Sequence, residues 1–509
     1  MTPRALVLIL VALLVLVLPA ALLAAPEGQL TWAVHVSLAP TWFDPAETSG
    51  MITPYMVLYA LHDALVKPMP GQPRAPGLAE SWSVSKDGLV YEFVLRKRAL
   101  FHNGDPVTAD DVKFSLERYR GTASKVLKER VASVETPDPG RVRIRLKQPW
   151  PDFLTFYTNA TGAGWIVPRK YVEKVGDEGF KKAPVGAGPY KFVSFTPGVE
   201  LVLEAFEQYW RKSPSVKRLV LRVIPDESTR LAALKRGEVD IAYSIRGELA
   251  EEMQRTPGLA LKPAVIQAPF WLYFADQWDP KSPWHDRRVR QAASIAIDRP
   301  SINQALTLGH SRLSGSIIPT SFEYFWRPPA PVYDPARAKQ LLTEAGHPAG
   351  FDGGDYFCDG SYANLGEVVV NSLQTVGIRV RLRPLERAAF FSGYAEKKFK
   401  NLIQGASGAF GNAATRLEAF VATGGAYVYG GYPDIDGLFQ EQGAEADPKR
   451  REATLQRIQQ LVHEKVVYAP IWELAFLNGV GPRIRESGLG LIAGHAYSAP
   501  YEDITLKGK

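Results

Sequence analysis

The chain has 509 residues, 46% of them apolar and 22% charged, which suits two or three domains with sizeable cores and excludes wholesale disorder. Sixty Lys and Arg against 53 Asp and Glu leave a formal net charge of +7, and no dense basic run accompanies it, so no nucleic-acid partner is implied. The single cysteine, Cys358, excludes an intrachain disulfide and any Cys-rich metal or iron–sulfur site.

Residues 5–25 carry no charge and follow Arg4. A basic start, a long apolar stretch and small residues at Ala24 and Ala25 predict an export signal, with a retained membrane anchor as the alternative. No cysteine follows the run, so lipid attachment at a new N-terminal Cys is not expected. A periplasmic location follows. The first strand is expected over residues 30–35, with Trp42 and Phe43 in the loop after it. Trp82 is read as the end of an amphipathic segment, before a turn at Lys86-Asp87-Gly88 and a strand over residues 90–96. Thr108 and Asp111 make a capping-box start, with Val112, Leu116 and Tyr119 on one face. Residues 141–147 (RVRIRLK) and 377–385 (GIRVRLRPL) alternate apolar and basic, the period of a half-buried strand. Asp334-Pro335 and Asp447-Pro448 each place an N-cap before a first-turn proline. Ala338, Leu341, Leu342 and Ala345 make the first stripe, ended by Gly346. Leu455, Ile458, Leu461 and Val462 make the second. Strands and helices are interspersed, which predicts α/β layers.

Several motifs occur in a fixed order. Residues 74–115 read RAPGLAESWSVSKDGLVYEFVLRKRALFHNGDPVTADDVKFS, and residues 185–190 read VGAGPY. Residues 286–292 read DRRVRQA, followed by Ala296-Ile297-Asp298-Arg299 and the helix opening at Asp334. Together they resemble the family 5 extracellular solute-binding proteins, the dipeptide-, oligopeptide- and nickel-binding components of bacterial ABC importers. The resemblance runs from about residue 30 to about residue 482.

The resemblance implies a two-lobed α/β periplasmic-binding-protein fold of the cluster C type, with an extra subdomain in the first lobe. On this chain the first lobe would be residues 26–262 plus 478–509, the extra subdomain 53–184, and the second lobe 263–477, after a signal at 1–25. A small organic solute would be held between the lobes and delivered to ABC importer permease subunits in the inner membrane. No catalysis, cofactor or metal is implied, and a monomer is expected. A secreted hydrolase and a chaperone-like periplasmic peptide binder are the alternatives.

Peptide-binding members hold the peptide's amino group with an aspartate in the second lobe. The matching stretch, residues 404–420 (QGASGAFGNAATRLEAF), has no aspartate. Asn412 stands near its place, and a neutral amide cannot pair a buried ammonium. Ordinary peptide binding is therefore not expected. Arg416 offers a positive charge to an anionic or polyhydroxylated ligand. Aromatic side chains are the other cleft candidates: Trp42, Phe43, Phe270, Trp271, Phe410 and Tyr429, with Gly405 in the departing loop. For each of them core packing is the competing reading. The eight histidines are scattered, with no i, i+4 pair for a metal. Gly488 and Gly490 fit a loose dinucleotide fingerprint without its strand–helix context, which reads as a loop. Residues 405–408 miss the final glycine of a nucleophile elbow. The carboxylates of residues 352–359 are explained by turns and helix capping.

Overall fold

The computed structural model describes residues 25–47, 53–121, 123–159, 161–445 and 447–508. The expected export signal lies outside them, except for Ala25. Among the described residues no helix is long and apolar enough to cross a membrane.

The backbone of the molecule is one long mixed sheet. In chain order its main strands are β1 (Glu27–Val34), β2 (Tyr190–Thr196), β3 (Glu200–Ala205), β4 (Val216–Val223), β5 (Ile241–Ala242), β6 (Ala260–Phe274), β7 (Phe351–Asp359), β8 (Ile378–Leu385), β9 (Leu402–Ala406) and β10 (Tyr468–Val480). Their spatial order is β2-β3-β4-β1-β5-β10-β6-β9-β7-β8. β1 is parallel to β4 and β5, and β7 is parallel to β8 and β9. These parallel groups occupy opposite halves of the sheet. Between them run the two longest strands, β6 and β10, paired antiparallel from Ala260↔Val480 to Tyr273↔Tyr468. They are the continuous link between the halves.

The half-buried strands form as the alternation predicts. β8 buries Ile378 and exposes Arg379, Arg381 and Arg383. The strand Arg141–Leu146 buries Val142, Ile144 and Leu146 in a separate four-stranded sheet with Ala79–Val84, Val90–Leu95 and Val131–Asp138. Trp82 belongs to that sheet, opposite Phe93, instead of ending an amphipathic segment. This unit has its own apolar core around Phe93, Phe101, Phe153 and Tyr157. Each such buried side chain contributes about 1.5–3 kcal/mol.

The capped helices also form where expected. Thr108 and Asp111 close a capping box on the helix Ala109–Arg118. Asp334 accepts from the Arg337 N–H and opens the helix Pro335–Glu344. Asp447 opens Pro448–Glu464, which buries Leu455, Ile458, Leu461 and Val462. In the VGAGPY motif, glycine is a matter of space. A Cβ on Gly186 would lie 1.8 Å from the Leu61 carbonyl oxygen, and one on Gly188 would lie 2.5 Å from that of Ala60. The segment presses directly on the backbone of the helix Tyr55–Leu61.

Candidate functional site

Five strands of the sheet end at one place. His35 follows β1, Tyr243 follows β5, Asp359 ends β7, Arg387 lies two residues past β8, and Ser407 follows β9. All five line a single open-mouthed cavity. Carboxyl ends of parallel strands converge there from both halves of the sheet, where open α/β folds place their ligands. The side walls are aromatic, including Phe270, Tyr362, Phe390, Phe476 and Tyr497.

The polar groups are few and distinct. Arg387 donates from Nη1 to Asp359 Oδ2 at 2.5 Å, and its guanidinium lies 5.1 Å from the Phe391 ring. Asp359 Oδ1 accepts from the Ser361 N–H at 3.0 Å, the capping role expected for these carboxylates, and the other oxygen faces Arg387. His35 lies against Tyr243 with ring centroids 4.7 Å apart, and its Nδ1 is buried without a partner. Burial, then the positive charges of Arg230, Arg387 and Arg246, push its pKa down to about 3. The imidazole is therefore neutral at pH 7 and keeps a hydrogen-bonding position unused. Tyr497 donates to Thr53 Oγ1 at 3.1 Å. Arg246 pairs with Glu227 at 2.5 Å beside the same wall.

The nine sequence candidates scatter around this cavity. Phe270 lines it. Phe410 lines a second cavity next to it. Phe43 is fully buried, edge-on to Phe195 at 5.0 Å, and belongs to the core behind β1. Trp42 is half-buried at the edge of that core. Trp271 is fully buried between Phe420 and Tyr468. It explains Gly405, because a Cβ there would sit 2.1 Å from the indole nitrogen. Strand alternation is the reason for the contrast between Phe270 and Trp271, since neighbours on β6 face opposite sides. Tyr429 packs against Tyr273 and accepts from the Phe399 N–H at 3.4 Å.

Asn412 and Arg416 build the cavity wall from behind. Asn412 caps the helix Ala413–Phe420 through Thr415, and its Nδ2 donates to Asp152 Oδ1 at 2.6 Å. Arg416 is buried and donates to the carbonyls of Ser407 (3.0 Å) and Ala409 (3.2 Å). It thereby holds the loop whose other face lines the cavity. Burial pulls its pKa down to about 9, opposed by Glu473. Cys358, one residue before Asp359, is buried, and burial raises its pKa to about 12, which leaves it an unreactive thiol.

Sequence reasoning missed Asp359, Arg387, His35, Tyr243, Tyr362 and Tyr497. The available signal was position, and only for two of them: His35 ends the strand expected over residues 30–35, and Arg387 lies just beyond the one expected over residues 377–385.

The family model for bacterial extracellular solute-binding proteins, family 5 (middle region), matches residues 74–427. The chain belongs to this family, whose members bind solutes. The glutathione-binding protein GsiB of Escherichia coli is 31% identical over 282 residues, 54% of this chain and 53% of that one. The match thus spans about half the length of that relative. Among solved structures, MoaA of A. tumefaciens R10 in complex with mannopinic acid has a TM-score of 0.79 at 25% identity, covering 95% of this chain and 100% of that one. DppA of Helicobacter pylori in complex with the peptide STSA has a TM-score of 0.79 at 22% identity, covering 94% and 98%. The fold is the two-lobed periplasmic-binding-protein fold.

Proposed function

We propose that this chain is the solute-capturing component of an ABC importer, exported to the periplasm, closing its two lobes on a ligand that it hands unchanged to the permease. The lobes on this reading are residues 26–262 plus 478–509, and 263–477, with 53–184 as the inserted subdomain. One observation carries the proposal: strand ends from both halves of the sheet converge on one aromatic-walled cavity that holds hydrogen-bonding groups with unused capacity. A ligand touching both halves stabilises closure by its differential affinity for the closed form. Among the described residues lining the cavity, no nucleophile is hydrogen-bonded to a base.

The solute class follows from Arg387 and Asp359. Arg387 suits a carboxylate and Asp359 an ammonium or hydroxyl group. An acid in the cleft also removes the ground for excluding ammonium groups, because the acid comes from β7 and not from residues 404–420. The reading is an amino-acid-derived zwitterion with an apolar flank. Glutathione and mannopinic acid, named with the relatives above, are of this kind.

Native mass spectrometry of the protein purified from its host tests the capture reading. A discrete bound mass below about 1 kDa, within the small-molecule range of such cavities, is expected. A thermal-shift panel of glutathione, mannopinic acid and Met-Leu then tests the class, since ligand at 100 times Kd adds about 2.7 kcal/mol. Turnover of an ester or peptide substrate would overturn the reading.

A further inference from the structure

One short helix carries both a wall of the main cavity and the contact with the inserted unit. The helix Ala413–Phe420 follows the loop of residues 407–409, which lines the cavity. Its Arg416 donates back to the carbonyls of Ser407 and Ala409, so loop and helix are tied into one piece. The start of the loop is fixed by β9, whose pairing with β6 reaches Phe270↔Ala406. Its far end is fixed only as firmly as the helix is.

The inserted unit grips this helix at three points. At the N-cap, Asn412 Nδ2 donates to Asp152 Oδ1 at 2.6 Å. In the first turn, the Ala413 N–H donates to the Glu323 carbonyl at 3.1 Å, and the Glu323 carboxylate pairs with Arg74 at 2.6 Å. Further along, Glu418 pairs with Arg130 at 3.4 Å, and that guanidinium lies 4.4 Å from the Trp150 ring. Arg416 and Glu418 are two residues apart, about 200° around the helix at 3.6 residues per turn. One therefore faces the loop and the other the inserted unit. The contacts are polar: the apolar cluster of the inserted unit and that of the second lobe share no residue. An open crevice lined by Arg130, Trp150, Asp152, Glu418 and Gln442 runs between them. A polar contact without a common core parts without unfolding either body.

We propose that the helix Ala413–Phe420 couples the inserted unit to the solute wall, and that Asp152 and Arg130 are positioning residues for the solute although neither lines the cavity. This rests on the reading of the main cavity as the solute site. With the unit docked, the loop of residues 407–409 is held where the solute meets it. With the unit lifted, Asn412 and Glu418 lose their partners, the loop loosens and the solute is held less tightly. The coupling is reciprocal, so a solute against the loop also favours the docked unit.

Two variants separate coupling from fold. Asn412→Ser keeps a residue suited to capping the helix and deletes the donor to Asp152. Glu418→Gln removes one charge of the Arg130 pair. Each is combined with Ser407→Cys, and the rate at which the new thiol reacts with a maleimide is read without added solute. Cys358, which is buried, reports general loosening of the same molecules. Labelling at position 407 is expected to accelerate about tenfold in Asn412→Ser, for a lost hydrogen bond to a charged group. In Glu418→Gln, which breaks a partly exposed pair, it accelerates about twofold. Cys358 keeps its rate in both. In native mass spectrometry of Asn412→Ser with Ser407 intact, the fraction of protein carrying a bound mass falls about threefold from wild type. Unchanged labelling at position 407 in both variants overturns the coupling. So does equal acceleration at Cys358, which marks lost stability instead of a released helix. Faster labelling with an unchanged bound fraction overturns the positioning role. A wild type that carries no bound mass counts against the capture reading, and the labelling rates still decide the coupling.

Discussion

The cleft and the seam between the inserted unit and the second lobe join the same bodies in opposite ways. At the seam, Asp152 accepts from Asn412 Nδ2 and from Arg451, and Arg451 also donates to Gln442 Oε1 at 3.0 and 3.1 Å. Asp152 and Arg451 are both buried, and every charge has a partner. Of the cavity-lining residues, His35 in the main cavity and Gln267 in the second keep buried polar atoms unmatched. A saturated contact holds, whereas an unsaturated one waits for a partner. The seam and the cavity also meet through one residue. Asn412 binds Asp152 and caps the helix that follows the cavity-lining loop of residues 407–409.

Acid should destabilise the fold through its buried histidines, His35 of the cleft among them. His35 and His495 each take a proton near pH 6.5 in the unfolded chain but only near pH 3 in the folded one. The unfolded state therefore binds more protons between these values, and stability present above pH 6.5 is lost as the pH falls. At about 1.4 kcal/mol per pH unit for each group, the pair removes about 5 kcal/mol between pH 6.5 and 4.5. Urea denaturation at the two pH values measures this; burial also lowers His62 to about 4 and His102 to about 3, so four histidines contribute and His495→Phe should remove about a quarter of the total difference.

Breaking the seam comes next. Asp152→Ala leaves the Arg451 charge buried without its acid, which costs about 3–5 kcal/mol. Denaturant midpoints at pH 7 check it. A loss under 1 kcal/mol would show that Asp152 is not the partner that satisfies the buried Arg451 charge.

In the cleft, Arg387→Ala should weaken carboxylate-bearing solutes about 30-fold, about 2 kcal/mol for a lost charged hydrogen bond. Calorimetric titration reads it, and an unchanged affinity would place the solute elsewhere. The smallest effect belongs to Arg74→Ala. Its partner pair is 34% and 45% exposed, so less than 1 kcal/mol of stability is expected, read as a thermal shift of a few degrees at most.

Local structure was legible in the sequence because its causes are local. The caps at Thr108, Asp334 and Asp447 and the alternation in β8 act within a few residues of themselves. The ordered motifs carried the family, and the VGAGPY glycines turned out to serve backbone contact with the helix Tyr55–Leu61. The cavity was not legible in this way. Arg387 and Asp359 are each unremarkable in their own stretches and gain meaning only when β7 and β8 lie side by side. Phe43 and Trp271 have the composition of cleft residues, yet pleat direction and layer packing turn both into the core. Asn412 was singled out for the aspartate it replaces, but its partner lies 260 positions away in the inserted unit, a separation no local pattern reveals.

The paired strands β6 and β10 have a mechanical consequence. Two tethers lying side by side resist shear and twist between the bodies they join, and leave bending across the ribbon as the soft motion. The ladder is interrupted between Val265 and Pro269, and again between Phe270 and Trp271. Ile266, Ala268 and Phe270 in this stretch line the main cavity. The floor of the binding space and the flexure of the molecule are therefore the same few residues, so an occupant would press on the axis about which the two bodies turn.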